Sequence, residues 1–202
     1  MQKLIGFTFL LFIGCCGRIS AQNVSDLEAF EKALKPGTML TYDVSMSGKK
    51  YQLIATLKKT NEGISFDWKT TAPVNTSGTI SMNTSAVSKG DALFHVFNGG
   101  VTSLDKETSL FLSKKIYTDV LTNTQAGIRI NGQADTLTTM SNTIAEVGFT
   151  LDGNFISIPA WELQGGSDIK YTVSLIESQK FPLFTRLDLG WTMTLVDIKS
   201  QP

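Results

Sequence analysis

The sequence predicts a mainly β domain: one antiparallel, strongly curved sheet or half-barrel of about ten strands, with two or three short helices inserted. Three observations carry this. Apolar residues recur at every second position in many short runs, which marks strands with one buried face. Turns containing Gly, Asn or Asp separate the runs at near-regular spacing. The helical departures are short, and the two in the middle, near residues 86–122, interrupt one sheet rather than divide the chain. Residues 22–202 therefore read as a single domain, without linker, repeat or low-complexity segment.

Taken in order, Val24-Ser25-Asp26 opens a helix, with Ser25 and Glu28 forming a capping box. Leu27, Phe30 and Leu34 give it one apolar side, and Pro36-Gly37 stops it. Leu40, Tyr42, Val44 and Met46 alternate with polar residues up to Ser47-Gly48, and Tyr51, Leu53, Ala55 and Leu57 alternate back, which makes a hairpin. Asn61-Glu62-Gly63 turns the chain into Ile64, Phe66 and Trp68. Asn75 to Gly78 turns it again into Ile80 and Met82. Asp91 is placed to cap a helix over Ala92 to Phe97 that ends at Asn98-Gly99-Gly100. A second helix starts at Ser113, with Ile116, Val120 and Leu121 on one side, after a short strand at Leu110 to Leu112.

The β pattern then resumes. Ile128 and Ile130 lead into Asn131-Gly132, and Ala134 to Met140 return. Val147, Phe149 and Leu151 lead into Asp152-Gly153, and Phe155 to Trp161 return, with Pro159 indicating an edge or a bulge. Residues 169–198 close the pattern as two long strands folded back on each other. Ile169, Tyr171, Val173 and Leu175 form one, and Leu187, Leu189, Trp191, Met193 and Leu195 the other.

The first 21 residues have the features of an export leader: Lys3, an apolar run from Leu4 to Gly14, and Ile19-Ser20-Ala21 before Gln22. That run is shorter than the roughly 20 residues of a membrane-spanning helix. Two processing routes stand open, cleavage after Ala21 or lipidation at Cys15, because Phe12-Ile13-Gly14-Cys15 has the form of a lipobox. Either route takes the chain to the periplasm or to a membrane surface. Both cysteines, Cys15 and Cys16, fall in the leader, so the domain must rest on its core without disulfides. The leader also holds Lys3 and Arg18 but no acid. Of the 18 basic and 18 acidic residues, the remaining domain keeps two fewer basic ones and is slightly negative. With no basic stripe to neutralise phosphates, nucleic acid is excluded as a partner.

Catalytic signatures are weak. His95 is the only histidine, so zinc sites built on two or three histidines cannot form, and no serine has the Gly-x-Ser-x-Gly elbow. Asp135-Thr136 lacks the glycine of an aspartic protease motif, its place being taken by Leu137. Asp43, Asp67, Asp188 and Asp197 read mostly as polar-face strand residues rather than a glycosidase pair. Asn23, Asn75 and Asn83 match the glycosylation acceptor pattern by chance in a Ser/Thr/Asn-rich surface. Phosphate, dinucleotide and calcium loops are absent, so no cofactor is expected. Trp68, Trp161 and Trp191 each fall in register with an apolar series. Core filling is their first reading, and lining a cavity for an apolar molecule is the second.

Two segments, Phe94-His95-Val96-Phe97-Asn98-Gly99-Gly100 and Phe181-Pro182-Leu183-Phe184 with Leu189-Gly190-Trp191, resemble those of exported β-proteins of Bacteroidetes, whose leaders often end as Ala21-Gln22 does here. The order of export signal, helix, meander, helical insertion and further meander resembles the half-barrel lipoprotein carriers LolA and LolB. No functional residue carries over from this architectural likeness. It implies a non-enzymatic envelope protein whose concave face holds lipid or a partner's hydrophobic segment. The expectation is a binding protein that holds an apolar small molecule or acyl chain between sheet and inserted helices. A structural module that grips an envelope protein partner is the alternative.

Overall fold

The computed structural model describes residues 21–140, 144–166 and 170–201, and of 21–23 the backbone alone. Leader residues 1–20, Cys15 among them, and Ile169 lie outside the described residues. Among these residues the chain forms three helices and one 14-stranded sheet. In chain order the elements are α1 (Ala21–Ala33), β1 (Met39–Met46), β2 (Lys49–Lys59), β3 (Ile64–Thr70), β4 (Ser77–Met82), α2 (Thr84–Lys89), β5 (Ala92–Leu93), β6 (Gly100–Leu104) and β7 (Glu107–Thr108). Then follow α3 (Lys114–Asn123), β8 (Gln125–Ile130), β9 (Gln133–Thr139), β10 (Ala145–Leu151), β11 (Asn154–Gly165), β12 (Tyr171–Ile176), β13 (Phe184–Asp188) and β14 (Thr192–Lys199).

Three of the hairpins are set by two-residue turns in which both residues are left-handed. Ser47 and Gly48 have φ of 50° and 76°, Asn131 and Gly132 54° and 78°, Asp152 and Gly153 51° and 80°. Such turns match the right-handed twist of paired strands, and a glycine at the second position removes the steric cost.

Strands β10 to β14 close on themselves. β11 pairs antiparallel with β10 and β12, β13 bridges β12 to β14, and Thr150 and Leu151 of β10 pair in parallel with Asp197 and Ile198 of β14. The result is a five-stranded barrel. Its other edges carry two wings, β1-β2-β3-β4-β6 from β14 and β9-β8-β5-β7 from β11. Phe149 of the barrel meets Phe30 of α1 edge to face at 6.3 Å, so the helix covers one end. Tyr42, fully buried, donates from its hydroxyl to the Phe184 carbonyl at 3.0 Å and ties the first wing to the barrel.

The structure corrects several local expectations. α1 begins at Ala21, so Ser25 sits inside the helix rather than capping it. No helix forms over Ala92 to Phe97: Ala92 and Leu93 pair in parallel with β7 and β8, and the backbone then runs irregularly to Gly100. Its aromatic and β-branched residues favour extended backbone, and tertiary pairing overrides the capping signal. The helix lies earlier, over Thr84–Lys89, where Asn83 accepts from the Ala86 N–H at 2.8 Å. The strand expected at Leu110 to Leu112 shrinks to one bridge between Phe111 and Leu183.

The series from Leu187 to Leu195 is two strands, because Leu189, Gly190 and Trp191 form a hairpin loop with Gly190 at φ 82° and Asp188 opposite Thr192. A three-residue loop keeps the alternation in phase, which hides the reversal. Pro159 is buried, and it sits where β11 has a strand partner on one side only. It lies opposite Glu146, and its carbonyl accepts from the Glu177 N–H just past the last β11–β12 pair. The missing N–H thus falls where β12 has already ended.

Candidate ligand cavity

The concave face of the first wing is built in rows by strand register. Val44 of β1 lies opposite Tyr51 of β2 on one side and Met193 of β14 on the other. One row deeper, Tyr42 faces Leu53 and Leu195, and Leu53 faces Thr70 of β3. One row toward the rim, Met46 faces Lys49, and Trp191 continues the inward series of β14.

A strap closes this face. Residues 94–99 connect β5, near one end of the sheet, to β6, at the other. Laid flat, the twelve strands from β6 to β5 would span roughly 50 Å at about 4.8 Å per step, whereas six residues reach at most roughly 25 Å. The sheet is therefore curled until its ends approach, and the strap crosses the gap. Phe97 meets Trp68 edge to face at 5.1 Å, and His95 stacks on Trp191 at 6.0 Å with 25° between the rings. Aromatic pairs of this kind are worth about 0.5–1.5 kcal/mol beyond buried area and hold the strap down at both contacts.

Beneath the strap lies a cavity of about 400 Å³. Its apolar lining is Val44, Met46, Tyr51, Leu53, Val74, Val96, Phe97, Trp191 and Met193, and its polar lining is Ser47, Lys49, Thr70, Thr76, His95 and Asn98. No Asp or Glu is among them. The Thr70 hydroxyl is already engaged by Thr76, whose N–H it accepts at 2.9 Å. Burial holds the His95 imidazole below its usual pKa, against the Leu93 carbonyl and Glu107 carboxylate that favour the proton. Its Nδ1 is buried without a partner in hydrogen-bond geometry, and no lining hydroxyl is bonded to it among the described residues. A second, more open groove of about 540 Å³ shares Val44 and Tyr51 with this cavity and adds Asp43, Lys50, Gln52, Ala72, Thr194 and Val196.

Of the three tryptophans, Trp191 lines the cavity. Trp68 is 4% exposed and stands behind Phe97. Trp161 packs against the core from β11, with its indole N–H buried and unpartnered. It is not brought to the other two. The sequence does not single out Lys49, and it assigns the strap segment to an inserted helix over the sheet rather than to an irregular crossing. Lys49 was recoverable, because it extends the series Leu57, Ala55, Leu53, Tyr51 by one more step of two. The strap was not, since its role depends on where the two ends of the sheet meet.

Asp67, expected on a polar face, is half-buried and bonded to Lys58 at 3.0 Å and to the Thr79 hydroxyl at 2.8 Å, which lowers its pKa. Asp197 bonds to Thr150 and Lys199, and Asp188 to Arg186, so none of the strand carboxylates enters the cavity. No group of three metal-ligating side chains occurs, and no helix is long and apolar enough to cross a membrane, among the described residues. Compared with protein-family models, curated proteins and solved structures, the chain matches none.

Proposed function

We propose that the protein is a non-enzymatic binding protein of the bacterial cell envelope that holds an apolar molecule or acyl chain in the cavity beneath the strap. The observation that carries this reading is the lining itself: nine apolar side chains around about 400 Å³, within the roughly 300–1,000 Å³ of small-molecule sites. A folded core would fill such a volume, since interiors pack to crystal-like density. The ligand sits between the sheet and an irregular strap rather than between sheet and helices. Catalysis has no support at the cavity, where His95 has no bonded nucleophile and the lining holds no carboxylate. Export, with a leader cleaved after Ala21 or a lipid on Cys15, belongs to the same proposal.

The test is native mass spectrometry of protein expressed with its own leader, paired with titration of the neutral dye 1-N-phenylnaphthylamine. A bound mass lost on denaturation, and dye fluorescence that the natural ligand displaces, are the expected results. A bare polypeptide that leaves the dye dark refutes the reading.

A second reading is an interaction module. Phe155 to Trp161, whose uncovered edge would favour it, pairs with β10 on one side and meets β12 only from Ala160 onward; before that the Ser157 N–H reaches Asp26 of α1 instead, and Phe155 is exposed. β6 supplies an edge instead, ending the sheet with Val101 81% exposed. One stable envelope protein co-purifying with the intact chain, and lost when Val101 is changed to Lys, would favour it.

A further inference from the structure

We infer that the cavity is built for a single-chain amphiphile with one negative charge, a fatty-acid-like carboxylate, whose head meets Lys49 at the mouth and whose chain runs inward past Tyr51, Val44 and Met193. This rests on the cavity reading above and adds the ligand's chemical class.

Three features carry it. Lys49 occupies an inward-facing register position, opposite Met46 and in line with Tyr51 and Leu53, where the rest of the series is apolar. A charged side chain there belongs to the concave face rather than to the solvated outer one, where its neighbour Lys50 lies. Second, Lys49 makes no ion pair among the described residues, while Asp43 on the adjacent strand accepts from Gln52 at 3.0 Å. The cavity's charged lining is therefore one cation and no anion. Third, polarity is graded. The charged and amide lining residues Lys49 and Asn98 are exposed at the mouth with Ser47, Met46 and Val96, while Val44, Leu53 and Met193 are buried deeper and Thr70 is the one buried polar residue of the lining.

That gradient matches an amphiphile lying head outward. Lys covers apolar surface with its stem and keeps its ammonium in water, so a carboxylate at the mouth is met without either charge being fully desolvated. One cation without a bidentate fork suits a single charge better than a doubly charged phosphate.

The experiment uses the full chain and three probes of equal chain length: dodecanoate, 1-dodecanol and dodecylammonium. Each displaces 1-N-phenylnaphthylamine at low ionic strength, mildly alkaline pH and concentrations below micelle formation. Dodecanoate is expected to bind about three- to fivefold more tightly than dodecanol, the scale of a partly exposed ion pair. Dodecylammonium should bind more weakly than either. Lys49→Met should bring dodecanoate down to dodecanol and leave dodecanol unchanged, and Lys49→Glu should reverse the order of the charged probes. Equal binding of all three, or a Lys49→Met variant that weakens all three alike, overturns this inference alone. Failure of every probe to displace the dye sinks the cavity reading and the inference with it.

Discussion

Lengthening a neutral ligand one carbon at a time reads the cavity directly. For a series of primary alkanols, each methylene that enters should add about 0.8 kcal/mol of transfer free energy, which is about fourfold in Kd. The slope should stop when the space is full. The cavity holds about 400 Å³, and a methylene-sized group takes roughly 30 Å³, the share of a water molecule in its liquid. The break should therefore fall near a dozen carbons, beyond which added methylenes stay in solvent and affinity levels off.

Val44→Phe supplies the control, because Val44 points into the cavity from the middle of β1. Its ring adds roughly four carbon atoms to the lining, so the break should move down by three or four carbons while the slope below it is unchanged; overpacking the fold itself would cost about 1–3 kcal/mol and show in thermal denaturation. Displacement of 1-N-phenylnaphthylamine, confirmed calorimetrically for two members, gives both lines. A slope below about twofold per methylene, no break, or a Val44→Phe variant that weakens short and long alkanols equally would refute the reasoning.

The Ser113 hydroxyl caps α3 by accepting from the Ile116 N–H and also donates to the Gly90 carbonyl at 2.6 Å. Ser113→Ala should lower stability by about 1–2 kcal/mol, a Tm drop of about 3–6 °C for a domain of this size, measured by calorimetry; no change would mean that α3 is held by packing alone. Burial raises the Glu177 carboxyl above its usual pKa, so its proton is favoured in the folded state. That stability is complete in acid, below the unfolded value, and is lost as pH rises through the folded value. Glu177→Gln should accordingly be more stable than the parent at neutral pH, by under about 1 kcal/mol because the side chain is partly open to solvent. It should show no advantage in acid, and an equal gain at both ends of a pH series of melting curves would contradict the assignment.

The curved antiparallel sheet was legible because local chemistry and global fold agree along most of the chain. Ser47-Gly48, Asn131-Gly132 and Asp152-Gly153 state their turns in two residues, and the alternation of β1, β2 and β11 states which face is buried. What stayed hidden was non-local. Nothing near Thr150 announces that β10 meets β14 in parallel and closes a barrel. The Gly190 reversal keeps the parity of its neighbours, so periodicity alone cannot see it. Ala92 to Phe97 has a plausible helix start, and only the pairing of Ala92 and Leu93 with two distant strands decides against it. The tryptophans were read as a group because they share a residue type. Space separates them: Trp191 lines the cavity, Trp68 supports the strap, and Trp161 belongs to the core.

β14 has a consequence for how the molecule is made. One of its edges is paired with β1 along nearly its whole length, and the other is shared between β13 and β10. It follows every other strand in the chain, yet the first wing has no barrel to attach to and the barrel has no seam until it arrives. Strands β1 to β4 can form their meander early on a ribosome, but their concave apolar face stays uncovered until residues more than a hundred positions later are present. Such long-range closure slows folding and exposes the half-made sheet to association with other chains. The same arrangement makes the finished domain a single cooperative unit, since loosening β14 opens the wing and the barrel together.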